Sequence, residues 1–377
     1  MNVNLSKHKH KIVFIGVENM KISQEPKLDF VDVLLQPKRS DLASRSEVSL
    51  ERTIAFKHSG RTWTGVPIMT SNMDTVGTIE MYRVLSKHKM LTCFHKFYTL
   101  EDLMPLHDAG ELDPRYYMLT TGIREQDWNK TQRMIQILQP YFLTIDVANG
   151  YSTKFVEFCR MVREQYPQLT IFAGNVATGD MVKELLLYSK VDVVKCGIGS
   201  GALCITRTKT GIGVPQLSVC IECSETANGL GGHIVSDGGC INPGDIAKAF
   251  CGGAHFVMLG GMLGGHDESG GELVEETYQD NGSEKTRKYK MIYGMSSEYA
   301  QKKHYGGMQT YRSSEGKVRR IPYRGPVENT IMDILGGLRS CGTYIGSHRI
   351  KDFPKCATFI QVNRILNHVF GSSQFMV

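Results

Sequence analysis

The stretch VDVVKCGIGSGALCITR, residues 191–207, joins a strand pattern to a loop that carries a cysteine. Its first part, VDVVKC, is rich in β-branched valine, which favours a strand. Three glycines precede Cys204, and Thr206 and Arg207 follow it. A structural cysteine usually packs as a small hydrophobe, whereas a reactive thiol needs an accessible site that favours its thiolate. Both interpretations of Cys204 are open at this point.

Five units of this kind repeat between residues 141 and 261. Each is a short run rich in valine, isoleucine or phenylalanine that ends in glycine or a polar residue, and helical patterns separate the runs. The runs are YFLTIDVANG (141–150), TIFAGNVATG (170–179), VDVVKCGIGSG (191–201), HIVSDGG (233–239) and AHFVMLGG (254–261). Strands that alternate with helices form a parallel sheet. Two earlier stretches, 65–77 and 90–98, have the same strand pattern.

We therefore predict an α/β fold, a (β/α)8 TIM barrel, rather than a doubly wound open sheet. No GxGxxG motif opens a helix directly after a strand, as a dinucleotide-binding sheet would require. Residues 1–26 are predicted to be a flexible N-terminal extension, and residues 27–377 a single catalytic domain. Two polar insertions interrupt the repeat. Residues 268–297 are predicted to form a hairpin, and the composition of residues 304–325 favours a mobile flap over a site.

Composition limits the classes of function. The chain has 377 residues, is 41% hydrophobic and 22% charged, and carries a net charge of +6 without a long basic block. These values are typical of a globular protein and argue against a nucleic-acid partner. No apolar run reaches eighteen residues, so no membrane span is expected. Ten cysteines without a clear secretory signal predict free thiols and a cytoplasmic location. The CxxC of Cys220 and Cys223 is predicted to be two ordinary helix cysteines, because no second CxxC follows at zinc-site spacing.

Candidate binding and catalytic groups follow the last predicted strands. The glycine pairs of SDGG (236–239) and MLGG (258–261) would expose backbone amides where barrels often bind phosphate; two ordinary tight turns are the alternative. Asp237 could accept hydrogen bonds from ribose hydroxyls or cap the next helix. Thr206 and Glu315 could relay protons for Cys204, because a carboxylate accepts what a hydroxyl donates. Sequence spacing does not show that these three residues meet.

At this point a family resemblance is clear. GIGSGALCITR resembles the catalytic loop of the IMP dehydrogenase and GMP reductase family, which usually reads GIGPGSxCTTR. The resemblance extends over roughly residues 27–360, with the motifs in family order. The further matching stretches are LDFVDVLLQPKRSDLASRSEV (28–48), NMDTVG (72–77), IDVANGYS (145–152), AGNVATG (173–179), SDGGC (236–240), FVMLGGML (256–263), YGMSS (293–297) and YRSSEGK (311–317).

The resemblance is closer to the reductase branch of the family. Dehydrogenases usually carry a CBS subdomain inside the barrel and an Arg-Tyr pair in the flap. The chain leaves no room for the CBS subdomain, and its flap reads MQTYRSSEGK. The implied activity is NADPH-dependent reduction of GMP to IMP with release of ammonia, through a thioimidate on Cys204. A dehydrogenase without regulatory domains and a non-catalytic purine-nucleotide sensor are the alternatives.

The resemblance also implies a set of site residues in a homotetramer. The implied catalytic residues are Cys204, Thr206 and Glu315. The implied GMP-binding residues are Asp237, Gly238, Gly239, Gly260, Gly261, Gly294, Met295, Ser296, Arg312, Ser314 and Gly316. The implied NADPH-binding residues are Ser44, Arg45, Lys96, Asp146, Val147, Ala148, Met295, Tyr311, Arg312, Ser340, Cys341, Gly342 and Thr343. Among these, residues 44–45 and 340–343 would come from a neighbouring subunit. The implied potassium site is formed by Gly199, Gly201, Cys204 and Arg207.

Three positions depart from the family pattern. Ser200 replaces a proline and would loosen the loop, since proline fixes φ. Ala202 replaces a serine whose hydroxyl would contact the phosphate, which predicts GMP binding weaker by roughly 0.5–1.5 kcal/mol. Ile205 replaces a threonine. Residues 1–26 and the insertion near 275–288 lie outside the resemblance and receive no predicted role.

Overall fold

The structure is a computed structural model of the chain, and it describes residues 12–14, 21–280, 283–307, 310 and 313–363. Eight parallel strands form one sheet in which each strand neighbours the next along the chain. They are β1 (Ile68–Thr70), β2 (Thr92–Cys93), β3 (Tyr117–Thr121), β4 (Phe142–Asp146), β5 (Thr170–Val176), β6 (Val193–Cys196), β7 (His233–Asp237) and β8 (Phe256–Leu259).

The sheet closes into a barrel. β8 pairs in parallel with β1, with Val257 opposite Ile68. Between β1 and β2, Leu91 N donates to Ile68 O at 3.0 Å and Thr70 N donates to Leu91 O at 3.1 Å. The predicted TIM barrel is therefore confirmed. β3 was not predicted; it is a fully buried strand of sequence YMLTT in the less regular first half of the chain.

A helix follows each strand and packs on the outside of the barrel. These helices are α1 (Ile79–Leu85), α2 (Leu100–Asp108), α3 (Glu125–Leu138), α4 (Thr153–Gln165), α5 (Gly179–Leu187), α6 (Gln216–Leu230), α7 (Pro243–Cys251) and α8 (Glu328–Ile345). Several of these helices begin at a polar N-cap residue. In α7 the N-cap is Asn242, whose side chain accepts the Asp245 amide at 3.0 Å, and Pro243 is the first helical residue. Both residues suit a helix start, since Asn satisfies a free amide and Pro lacks one.

Aromatic rings fill the end of the barrel where the strands begin. Phe142 opens β4 and Phe256 opens β8, and Phe56 packs against both from below. Phe56 and the buried Trp63 belong to a segment that contains the antiparallel strands Arg52–Ala55 and Thr62–Gly65. Because this end is packed with apolar side chains, a polar site can open only at the carboxyl ends of the strands.

The insertion after β8 builds a second, smaller sheet. Strands Leu273–Asp280 and Ser283–Tyr293 form the predicted hairpin. The strand Val318–Pro322, from the segment predicted as the flap, pairs with Ser283–Tyr293. The helix Glu298–Tyr305 lies between these two strands in the chain. Part of the flap therefore forms a regular β-strand.

The remaining predictions concern the first residues, the cysteines and membrane spans. Strands Ile12–Phe14 and Lys21–Ser23 pair antiparallel within the predicted extension. Residues 1–11 and 15–20 of the extension lie outside the described residues. All ten cysteines are free, and Cys220 and Cys223 are buried in α6 as predicted. Within the described ranges, no helix is long and apolar enough to cross a bilayer.

Candidate active site

An open cavity of about 260 Å³ lies where the strands end, and we call it the nucleotide cavity. It is formed by the ends of β4, β5, β7 and β8, by the loops after β1, β4, β6, β7 and β8, and by two segments of the insertion. Its lining residues are 71–73, 146–148, 175, 197–204, 206, 237–240, 258, 260–261, 294–296 and 315–316. Most of the residues predicted for catalysis and for GMP thus line one cavity.

The loop after β6 carries Cys204 into this cavity. It starts at Gly197, where an added Cβ would lie 2.0 Å from the carbonyl oxygen of Asp237. Only glycine therefore lets the loop pass so close to the end of β7. Cys204 N donates to Gly201 O at 3.0 Å, which closes a turn around the thiol. Cys204 is half-buried, so its sulfur is held by the loop and still faces the cavity.

The structure brings Cys204, Thr206 and Glu315 together in a line. Cys204 Sγ lies 3.2 Å from Thr206 Oγ1, and Thr206 Oγ1 donates to Glu315 Oε2 at 2.6 Å. These contacts are within the reach that proton transfer requires. A thiol, a hydroxyl and a carboxylate are therefore connected in an order that can carry a proton away from the sulfur and return it.

Backbone pairing places Glu315 beside the loop of Cys204. Ile205 N donates to Glu315 O and Lys317 N to Leu203 O, both at 2.9 Å. On its other side, Glu315 N donates to Ser296 O at 3.2 Å and Gly294 N to Lys317 O at 3.0 Å. We call residues 313–317 the flap strand; they are extended backbone that leads directly into the strand Val318–Pro322. The flap strand lies between the cysteine loop and residues 294–297.

Glycine permits this close approach of three backbones. A Cβ on Gly316 would lie 2.8 Å from Ser297 N, and one on Gly294 would lie 2.9 Å from Gly316 Cα. Any side chain at either position would force the flap strand away from the segment beside it.

Two glycines and a carboxylate follow β7. Gly238 and Gly239 have φ of +101° and +83°, which favour glycine, and they turn the chain away from Asp237. Asp237 Oδ2 accepts Asn175 Nδ2 at 2.8 Å. The cap of α7 is Asn242, so the alternative role of Asp237 as a helix cap is wrong. Its carboxylate is instead one wall of the nucleotide cavity.

Ser200 ties the cysteine loop to the turn after β7. Its carbonyl accepts Gly239 N at 3.0 Å, and its hydroxyl donates to Asp237 O at 3.2 Å. The expectation was that Ser200, in place of proline, would loosen the loop. The hydroxyl adds a hydrogen bond that proline could not make, so the structure shows an added anchor at this position.

A second cavity adjoins the first, and we call it the cofactor cavity. The two share residues 72, 146–148 and 295–296, and Lys96, Phe97, Arg124 and Tyr305 line the second alone. Lys96 Nζ forms an ion pair with Asp127 at 3.0 Å. Of the residues predicted for NADPH, Lys96, Asp146, Val147, Ala148 and Met295 lie here.

Some predicted site residues lie elsewhere. Neither of these two cavities is lined by Ser44, Arg45 or residues 340–343. The segments that contain residues 44–48 and 340–343 contact each other, because a Cβ on Gly342 would lie 2.7 Å from Val48 Cγ1. Ser314 does not line the nucleotide cavity; its hydroxyl donates to Gly316 O at 3.2 Å and accepts Glu298 N at 3.3 Å. The Arg207 side chain binds Asp29 Oδ2 and the Val214 carbonyl. Tyr311 and Arg312 lie outside the described residues.

Comparison with known proteins shows the family of this chain. Residues 27–365 match the family model described as the IMP dehydrogenase / GMP reductase domain. The chain belongs to the IMP dehydrogenase/GMP reductase family. It is 54% identical over 355 residues to a protein of Klebsiella pneumoniae subsp. pneumoniae named GMP reductase. It is 53% identical over 355 residues to one of the same name in Escherichia coli strain K12 / DH10B. Both alignments cover 94% of this chain and the whole of the relative.

Sequence reasoning missed two polar residues of this family member: Asn175, which lines the nucleotide cavity, and the buried Lys195, which lines neither cavity. Asn175 binds Asp237, and Lys195 binds both Asp146 and Asp237. A signal was available for Lys195, because a lysine inside the apolar run VDVVKC must find a carboxylate if it is buried. The role of Asn175 follows only from the meeting of the ends of β5 and β7, which are far apart in sequence.

A buried carboxylate holds the helix Glu298–Tyr305 against the barrel. Asp74 Oδ2 accepts hydrogen bonds from the Tyr293 hydroxyl, from His304 Nε2 at 2.7 Å and from Lys303 Nζ at 3.0 Å. Burial favours a raised pKa for Asp74, but these three donors outweigh it and lower the pKa. The His304 ring stacks on Phe97 at 3.6 Å. The helix before the flap is thus fixed to the loops after β1 and β2.

We predict a pH-dependent effect of His95, which stacks on Tyr98 at 3.9 Å beside this cluster. Burial, aided by nearby cations and opposed by Asp74, lowers the pKa of His95 to about 4. The unfolded chain then binds a proton at pH values where the folded chain does not, so stability falls as the pH decreases from 6.5 to 4. This effect amounts to roughly 3 kcal/mol.

Urea unfolding of the wild type and His95→Gln from pH 7 to pH 4 tests it. The variant lacks the titrating ring, so its stability relative to the wild type should improve by roughly 3 kcal/mol over this range. Parallel pH dependences of the two proteins would contradict the prediction.

Proposed function

We propose that this protein is a GMP reductase, which converts GMP, NADPH and a proton to IMP, NADP⁺ and ammonia. The observation that carries the proposal is the line from Cys204 through Thr206 to Glu315 at the wall of the nucleotide cavity. The family membership and the names of the relatives support this reaction. A cytoplasmic location belongs to the same proposal, supported by ten free cysteines.

In this proposal Cys204 is the nucleophile. Its sulfur forms a bond to C2 of the purine, while the thiol proton moves to Thr206 and the Thr206 proton moves to Glu315. The C2–N bond to the amino group then breaks. Glu315 and Thr206 return a proton to the leaving nitrogen, which departs as ammonia and leaves a thioimidate. The covalent step makes sense because it splits a difficult substitution into two easier ones.

NADPH, when bound, would supply the hydride that C2 needs. The bond between sulfur and carbon then breaks, and the Cys204 thiolate takes up the proton that the reaction consumes and becomes a thiol again. The cofactor cavity fits such a ligand, because it opens into the nucleotide cavity along residues 146–148 and 295–296. Lys96 and Arg124 offer cationic groups to its phosphates. The Asp146 carboxylate can accept hydrogen bonds from its hydroxyl or amide groups.

The nucleotide would lie with its phosphate at the glycine turns after β7 and β8. Gly238, Gly239, Gly260 and Gly261 line this part of the cavity and can offer backbone amides. Asp237 would accept the ribose hydroxyls, and residues 294–296 with Gly316 would surround the base. Residues 44–45 and 340–343, which lie together outside both cavities, would complete the cofactor site of a neighbouring copy in a homotetramer.

The cysteine loop also has the oxygen donors that a potassium ion prefers. The carbonyls of Gly201 and Arg207 accept the amides of Cys204 and Gly211 at 3.0 and 3.1 Å. Each carbonyl keeps a second lone pair that could face a cation. Gly199, Gly201, Cys204 and Arg207 would hold the ion through their backbone oxygens and thereby fix the loop that carries the nucleophile.

The first test mixes the purified protein with GMP, NADPH and potassium, and follows NADPH absorbance together with ammonia. We expect equal amounts of NADPH lost and ammonia formed, and neither in Cys204→Ala. NADH formation from IMP and NAD⁺ instead would indicate the dehydrogenase. GMP binding without either reaction would indicate the nucleotide sensor. Both of these results would overturn the proposal.

A second prediction concerns Ala202, which faces the phosphate end of the cavity: a Cβ on Gly261 would lie 3.8 Å from its Cβ. Ala202→Ser adds a hydroxyl there and should lower the KM for GMP about twofold to tenfold, the net value of one hydrogen bond. Ile205→Thr is the matched control. It also restores the family residue, but Ile205 does not line the nucleotide cavity. An unchanged KM in Ala202→Ser would contradict this placement of the phosphate.

A further inference from the structure

One lysine lies beneath both cavities. Lys195 is on β6 and only 1% exposed, in a strand whose other residues are also buried. Its Nζ forms an ion pair with Asp146 Oδ1 and lies 3.5 Å from both Asp237 Oδ2 and Asn72 Oδ1. A buried ammonium is costly unless carboxylates compensate it. Here a single cation is shared by two carboxylates from different strands.

The two carboxylates belong to different binding regions. Asp237 ends β7 and lines the nucleotide cavity, whereas Asp146 ends β4 and lines both cavities. The network continues to the cysteine loop, since Asn175 Nδ2 donates to Asp237 Oδ2 at 2.8 Å and to Gly197 O at 2.9 Å. Lys195 is therefore at the centre of a chain of contacts that joins the cofactor side, the ribose side and the start of the loop of Cys204.

The charges around this centre explain what Lys195 does to Asp146. Burial favours a raised pKa for Asp146, but Lys195 outweighs burial and lowers the pKa, with help from Asn72 and Lys96. The groups that face Lys195 are Asp146, Asp237, Asn72 and the buried thiol of Cys93 from β2. Without Lys195, Asp146 would face the negative charge of Asp237 with no cation between them, and such a neighbour raises the pKa of Asp146.

We propose that Lys195 is a positioning residue that holds Asp146 and Asp237 at a fixed spacing and so couples the nucleotide cavity to the cofactor cavity. The proposal rests on the proposed function for the identity of the two ligands. Lys195 acts through these carboxylates and not on the reacting atoms. Both subsites respond when its charge is removed.

The test compares Lys195→Met with the control Arg163→Met. Arg163 also forms a deeply buried ion pair, with Asp192 at 2.5 Å. Asp192 directly precedes β6, so this pair lies at the end of the barrel opposite to the two cavities. The measurement is kcat/KM for NADPH as a function of pH. In Lys195→Met the value at pH 7 should fall about 100-fold, as small displacements of positioned groups produce. Its acid limb should also move upward by at least about one pH unit as the pKa of Asp146 rises.

Arg163→Met should unfold more readily yet keep the pH profile of the wild type. An unshifted profile in folded Lys195→Met would overturn the proposal, as would the same shift in both variants. Thermal unfolding shows first that each variant is folded.

A second measurement does not require replacement of the lysine. Asp237 does not line the cofactor cavity, so Asp237→Asn can affect NADP⁺ only through the network. The dissociation constant of NADP⁺ without nucleotide should change by at least about fivefold, the lower end of ordinary coupling between sites. An unchanged constant would overturn the proposal. Failure of the wild type to reduce GMP would instead overturn the proposed function, and the NADP⁺ titration would still measure the coupling.

Discussion

The site depends on the backbone pairing of the flap strand with the cysteine loop. Cys204 and Glu315 are more than a hundred residues apart in sequence, and two hydrogen bonds of 2.9 Å hold their segments side by side. The carboxylate of Glu315 therefore reaches Thr206 because of main-chain geometry, and the side chain needs no long reach. This arrangement is sensitive to any side chain at Gly294 or Gly316, since the three segments approach within van der Waals contact.

The barrel provides the fixed parts of this arrangement. Its lower end is packed with aromatic rings, while its upper end carries the polar groups that follow each strand. Lys195, Asp146 and Asp237 form the charged floor between the two cavities. Asp74 holds the helix that leads into the flap. Rigid strands thus position the groups that stay in place, and the segment that completes the site enters from an insertion after the last strand.

Much of this could be predicted from the sequence, for clear physical reasons. Valine-rich runs that end in glycine repeat through the second half, so the barrel and its active end followed from local patterns. β3 was missed because its run YMLTT lacks such a repeat beside it. The meeting of Cys204, Thr206 and Glu315 was implied by the family resemblance alone, because backbone pairing between distant segments leaves no local pattern. Ser200 shows what a local pattern leaves out: the missing proline ring predicts a looser loop, but the hydrogen bond from the Ser200 hydroxyl to the carbonyl at the end of β7 depends on the tertiary fold.

The most direct measurement is single-turnover kinetics of Glu315→Gln with GMP and NADPH, beside the control Lys317→Gln in the same flap strand. Gln keeps the shape of the side chain but is a far weaker proton acceptor. We expect the rates of NADPH oxidation and ammonia release to fall together by about 100-fold or more in Glu315→Gln. Both rates should stay near those of the wild type in Lys317→Gln, because the Lys317 side chain is exposed. Near-normal rates in Glu315→Gln would contradict the role assigned to the flap.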